Sequence, residues 1–125
     1  MKESTTQQKQ ASDEASNKSY FTKEFTLDNG LKVLIREEHS APIYSQVIFY
    51  RVGSRNDPQN LSGCAHYLEH MQFNGTKTRP KGSISSEIER RGGSFNAATG
   101  TDYTLYYVTI PASSENLDFS LGLES

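Results

Sequence analysis

One cysteine, Cys64, stands among the 125 residues, so no disulfide can form within the chain. No run approaches the apolar length of a membrane-spanning helix. Lys2 is present near the N-terminus but no apolar stretch follows it, so the chain as it stands shows no secretory signal. An excess of positive charge is missing too: 13 Lys and Arg against 15 Asp and Glu give a net charge of -2. That balance argues against a nucleic-acid partner or an anionic membrane surface. The Arg90-Arg91 pair reads as a solvated helix end rather than a phosphate site. Hydrophobic residues are scarce, at 34%, below the usual globular share. Much of that deficit lies in Met1 to Tyr20, which apart from alanine has no aliphatic side chain after Met1. Such a segment buries too little apolar surface to offset the entropy of ordering it, so residues 1–20 read as a disordered polar tail. The remaining length, residues 21–125, suits one modest domain and is rich in Tyr and Phe.

Within that part, Phe21 to Leu27 and Leu31 to Arg36 are expected to pair as a hairpin, because Asn29-Gly30 between them is a strong tight-turn signal. Ile43 to Val52 is apolar on both faces and reads as a central strand. Gly53 to Asn60 is a polar loop containing Pro58. Ser62 to Phe73 is a candidate helix with Cys64, Leu68 and Met71 on its packed side, ended by Asn74-Gly75. After a loop at Lys77 to Gly82, Ser83 is expected to cap a helix reaching Arg91, with Ile84 and Ile88 on one face. Gly92-Gly93 stops it. Ser94 to Gly100 and Asp102 to Ile110 read as strands, the second dense in β-formers. Pro111 breaks that strand, and Ser113 or Ser114 caps a last helix with Leu117 and Leu121 on one face. The order β-β-β-α-α-β-β-α lacks a regular βαβ repeat, so the expected class is α+β, an antiparallel or mixed sheet with helices packed on one face. The last helix has barely begun to build an apolar face at Ser125, which suggests a piece of something longer.

His66-Tyr67-Leu68-Glu69-His70 carries the chemistry. On a helix, four residues turn about 400°, so His70 lies about 40° around the axis from His66 and about 6 Å along it. Glu69 lies about 60° to the other side. All three side chains can reach one small volume. Neutral imidazoles are good zinc ligands, and a neighbouring carboxylate can take a proton from water on the metal. Isolated histidines are more often ordinary helix residues, but here two of the chain's three fall one ligand spacing apart.

Gly63 to Thr76, GCAHYLEHMQFNGT, resembles the signature of the inverzincin metallopeptidases, the pitrilysin and insulinase family. The likeness extends to Leu27-Asp28-Asn29-Gly30-Leu31-Lys32-Val33, to Gly53-Ser54-Arg55, to Gly92-Gly93-Ser94-Phe95-Asn96-Ala97 and to Asp102–Tyr107. It covers Phe21 to the end of the chain and implies the first part of a pitrilysin-like peptidase domain, incomplete in residues 21–125. The activity it implies is zinc-dependent cleavage of peptides or small unfolded proteins. His66 and His70 become Zn2+ ligands and Glu69 the general base; the plainer reading of Glu69 is a surface carboxylate in a helix ion pair. Asn96 and Ala97 become substrate-binding residues on a strand edge that an extended peptide joins, where Asn96 otherwise satisfies a local turn. Phe73 either lines the pocket or is plain core. Cys64 stands where the family usually has an aliphatic residue, and reads as a small hydrophobe more readily than as a stray ligand. The family's third ligand is a Glu on a later helix, past Ser125; Glu87, Glu89, Glu115 and Glu124 do not take that role. The implied partners are a peptide substrate and a second homologous domain or subunit that closes a chamber around it.

The competing function is a non-catalytic or truncated member of the same fold, serving as a structural or substrate-holding subunit. Such members lose one or more of the two His and the Glu, whereas all three are present here. Nothing in the sequence selects a compartment.

Overall fold

The computed structural model describes residues 22–123. The tail expected over residues 1–20 lies outside them, as do Phe21 and Glu124. The elements follow the expected order, and the fold is α+β. Two compact units meet at the Ala41–Pro42 boundary.

In the first unit, β1 (Thr22–Thr26) and β2 (Lys32–Arg36) form the expected antiparallel hairpin, with Thr26 opposite Lys32. Gly30 closes the turn at φ 85, and its N–H donates to Leu27 O at 2.8 Å. Only a residue without Cβ adopts that left-handed backbone freely, which is why Asn-Gly marks the turn. The Lys23 ammonium donates to Glu37 at 2.9 Å, which raises the lysine's pKa and lowers the carboxylate's, chiefly through that bond.

The second unit holds β3 (Ile43–Tyr50), a 3-10 turn at Ser54–Asn56, α1 (Cys64–Gln72), α2 (Ser83–Arg90), β4 (Ser94–Thr99), β5 (Thr104–Pro111) and α3 (Ser114–Leu123). Its three strands are antiparallel in the order β3-β5-β4. Thus β5 is central, and the run over Ile43 to Val52 forms an edge strand among the described residues. Its two-sided apolarity has another cause: Ile43, Val47 and Phe49 face away from the helices and are more than half exposed. Pro111 closes β5 opposite Ile43 instead of breaking it beforehand.

Alternation along β5 sends Val108 and Ile110 to one face. There Ile88 of α2 is fully buried against them, with Tyr44, Ile84, Phe95, Phe119 and Leu123 packed around. The expected Ile84–Ile88 face is therefore the true one. Two other helix faces differ from expectation. Cys64, Leu68 and Met71 are exposed, while Ala65 and Glu69 are buried and the Phe73 ring lies tilted 5.3 Å from that of Phe95. In α3, Leu117 and Leu121 are exposed and Ser120 is buried, with Phe119 and Leu123 on the core.

Ser83 does not cap α2. Gly82 enters the helix at φ 82, and Ser83 Oγ is buried without a hydrogen-bond partner among the described residues. The end of α2 is as the Gly-Gly pair suggests. Gly92 N–H donates to Glu89 O and Gly93 N–H to Ile88 O, both at 2.9 Å, a Schellman arrangement. Ser113 does cap α3, its Oγ accepting from Asn116 N–H at 3.1 Å.

Candidate metal centre

Helix α1 is anchored before it carries any chemistry. Its first amides lack intrahelical acceptors, and Asp57 supplies them: the carboxylate accepts from Gly63 N–H at 2.7 Å and from Ala65 N–H at 2.9 Å. A negative charge there also complements the positive end of the helix dipole.

One turn on, His66 and His70 lie with ring centroids 4.7 Å apart and their Nε2 atoms 3.1 Å from each other. Both side chains are exposed. Two nitrogens bound at about 2.0–2.1 Å to one tetrahedral zinc are about 3.3 Å apart. The observed pair is close to that spacing, so the two rings fit a shared ion. Binding one requires both Nε2 lone pairs, which places each ring's proton on Nδ1.

Glu69 is only 7% exposed. Its Oε2 accepts from Thr99 Oγ1, the last residue of β4, at 2.5 Å, the length of a charge-assisted O–H···O bond. Thr99 is itself well placed. The turn after it is closed by Gly100 N–H donating to Tyr103 O at 2.8 Å. Into that turn the Gly53-Ser54-Arg55 segment donates two backbone bonds, Ser54 N–H to Gly100 O at 3.0 Å and Arg55 N–H to Thr101 O at 2.9 Å. The Arg55 guanidinium pairs with Asp102 at 2.9 Å. A hydrogen-bonded frame thus runs from Asp57 through the 53–55 segment to the strand end that holds Glu69.

The structure brings His66, Glu69 and His70 together on one helix. It does not add a third ligand: among the described residues, no group of three or more His, Cys, Asp or Glu is placed to hold a metal. Glu115 is paired with Arg91 at 2.8 Å. Asn96 and Ala97 sit on β4, which pairs only with β5 among the described strands and so leaves one edge open. At that strand Ala97 N–H donates to Asn96 Oδ1 at 2.9 Å. Phe73 is half-buried against Phe95 and lines a 470 Å3 cavity with Tyr50, Arg79, Phe95 and Tyr106, which the two histidines do not line. Sequence reasoning missed Asp57 and Thr99. Their bonds to α1 span 8 and 30 residues, beyond any local periodicity.

The profile of the family described as Insulinase (Peptidase family M16) matches residues 32–121. The chain belongs to that family. A relative named zinc protease PqqE, from Helicobacter pylori, is 41% identical over 99 residues, which is 78% of this chain and 22% of the relative. The crystal structure of pitrilysin superposes with a TM-score of 0.67 at 33% identity, covering 76% of this chain and 10% of that one. The similarity extends to proteins with other names: human cytochrome b-c1 complex subunit 1 is 38% identical over 82 residues, 66% of this chain and 17% of its own length. The chain thus spans about a fifth of the curated relatives it matches. No described helix of this family member is long and apolar enough to cross a membrane.

Proposed function

We propose that the protein is a zinc-dependent endopeptidase of its family, acting on extended peptides or small unfolded proteins. The observation that carries the reading is the His66–His70 pair, Nε2 to Nε2 at 3.1 Å, with Glu69 buried on the same helix. His66 and His70 would hold the ion through Nε2. A zinc ion held there would supply Lewis acidity, making water a usable nucleophile near neutral pH. Glu69 would act as general base toward the attacking water and pass the proton to the leaving amine. Substrate lies as an added strand along the open edge of β4 at Asn96 and Ala97, held mainly by main-chain bonds. For Ala97 N–H to serve it, the Asn96 side chain must first release that amide. A third ligand, and a second homologous domain or subunit that encloses substrate, come from outside these residues.

The test uses the gene product as encoded. Glu69→Gln is expected to lower kcat for an unstructured peptide by about 100- to 10,000-fold while zinc content is kept. His66→Ala and His70→Ala are expected to lose the zinc. Full activity in Glu69→Gln would overturn the reading. A second reading, a non-catalytic subunit, is favoured by the kinship with a cytochrome b-c1 complex subunit. It predicts no hydrolysis even in a zinc-loaded protein.

A further inference from the structure

We propose that Thr99 is a positioning residue for Glu69, its hydroxyl fixing the carboxylate beside the histidine pair. The inference rests on the endopeptidase reading above and deepens it at one atom. Glu69 is buried, and a buried polar side chain needs a hydrogen-bond partner. The bond it has comes from another element, 30 residues on, at 2.5 Å. A helix alone leaves a Glu side chain with three rotatable bonds, so the helix sets the Cα of Glu69 and not its oxygens. Thr99 supplies what the helix lacks. Threonine is β-branched and stiff at χ1, and its backbone is held at the strand end by the bonds from Ser54 and Arg55 into the following turn. The hydroxyl therefore donates from a nearly fixed point. A base held within about 0.5 Å of its working position is effective where a wandering one is not.

A plain structural role would make Thr99 only a tertiary staple, and the two roles separate on kinetics. In the gene product as encoded, Thr99→Val keeps the shape and removes the donor. We expect kcat to fall about 10- to 100-fold, with KM and zinc affinity each within about threefold of the parent. Thr99→Ser, which restores the hydroxyl, is expected to recover kcat to within about threefold. Unchanged kcat in Thr99→Val overturns the proposal. So does loss of zinc in Thr99→Val, or failure of Thr99→Ser to recover kcat, since both mark a staple. Glu69→Gln, measured alongside, separates the layers: if it stays active, the general-base reading fails whatever Thr99 does. Should the product cleave no peptide, crystal structures of the metal-free parent and Thr99→Val still decide. The Glu69 carboxylate is expected to shift by more than about 0.5 Å or to occupy several rotamers in the variant; an unmoved carboxylate overturns the proposal.

Discussion

Tyr44, Gln46 and Ser120 show how single polar side chains are accommodated under the helices. Tyr44 Oη donates to Gln46 Oε1 at 2.7 Å, and the fully buried Ser120 Oγ donates to the same oxygen at 3.1 Å. Burial raises the Tyr44 phenol above its ordinary value of 10.0, with Ser120 opposing in part. The unfolded chain then loses the phenolic proton at lower pH than the folded one. The stability from keeping Tyr44 neutral is full below about pH 10 and is lost as pH rises through the higher folded value. Urea unfolding from pH 8 to 11 should show Tyr44→Phe losing stability less steeply than the parent; parallel curves would contradict this. At this scale the proximity of His66 and His70 was legible, because positions four apart share one helix face whatever surrounds them. Thr99 and Asp57 were not, since neither differs in sequence from any strand threonine or loop aspartate until the chain is folded.

Element identity and order were also legible: hydrophobic alternation, Asn29-Gly30 and Gly92-Gly93 mark the right places. The buried face of α1 and α3 was not. Burial there follows from distance to the sheet, so Ala65 and Ser120 are buried while Leu68 and Leu121 are exposed. Close approach also explains Gly53. It has ordinary extended dihedrals, but a Cβ on it would meet the carbonyl oxygen of Gly100 and lie 2.7 Å from the carbonyl carbon of Thr101. Both are backbone, with no rotamer to yield. Gly53→Ala should therefore push the 53–55 segment off the turn and destabilise the fold by about 1–3 kcal/mol in urea titration. Gly122→Ala, in α3 with nothing within 4 Å of the added Cβ, is the contrast. It should be neutral or stabilising by up to about 1 kcal/mol; equal losses in the two variants would contradict the steric argument.

For the whole molecule, the decisive fact is proportion. Residues 32–121 carry the family match, yet the chain spans about a fifth of its curated relatives. At the candidate site the described part offers two histidines, His66 and His70, and a tetrahedral site filled by two protein ligands is under-filled. The 125-residue chain by itself should accordingly bind zinc weakly, measured by competition with a chromophoric chelator. Tight one-to-one binding by this chain alone would show that its own residues complete the site. By itself the sequence determined the α+β class, the element order, the hairpin turn and the His-x-x-Glu-His constellation, since each depends on spacing of a few residues. Only the tertiary structure decided which strand is central, which helix faces are buried, and that Thr99 and Asp57 bond to α1. Those depend on contacts between distant segments, whose free energy no local pattern encodes.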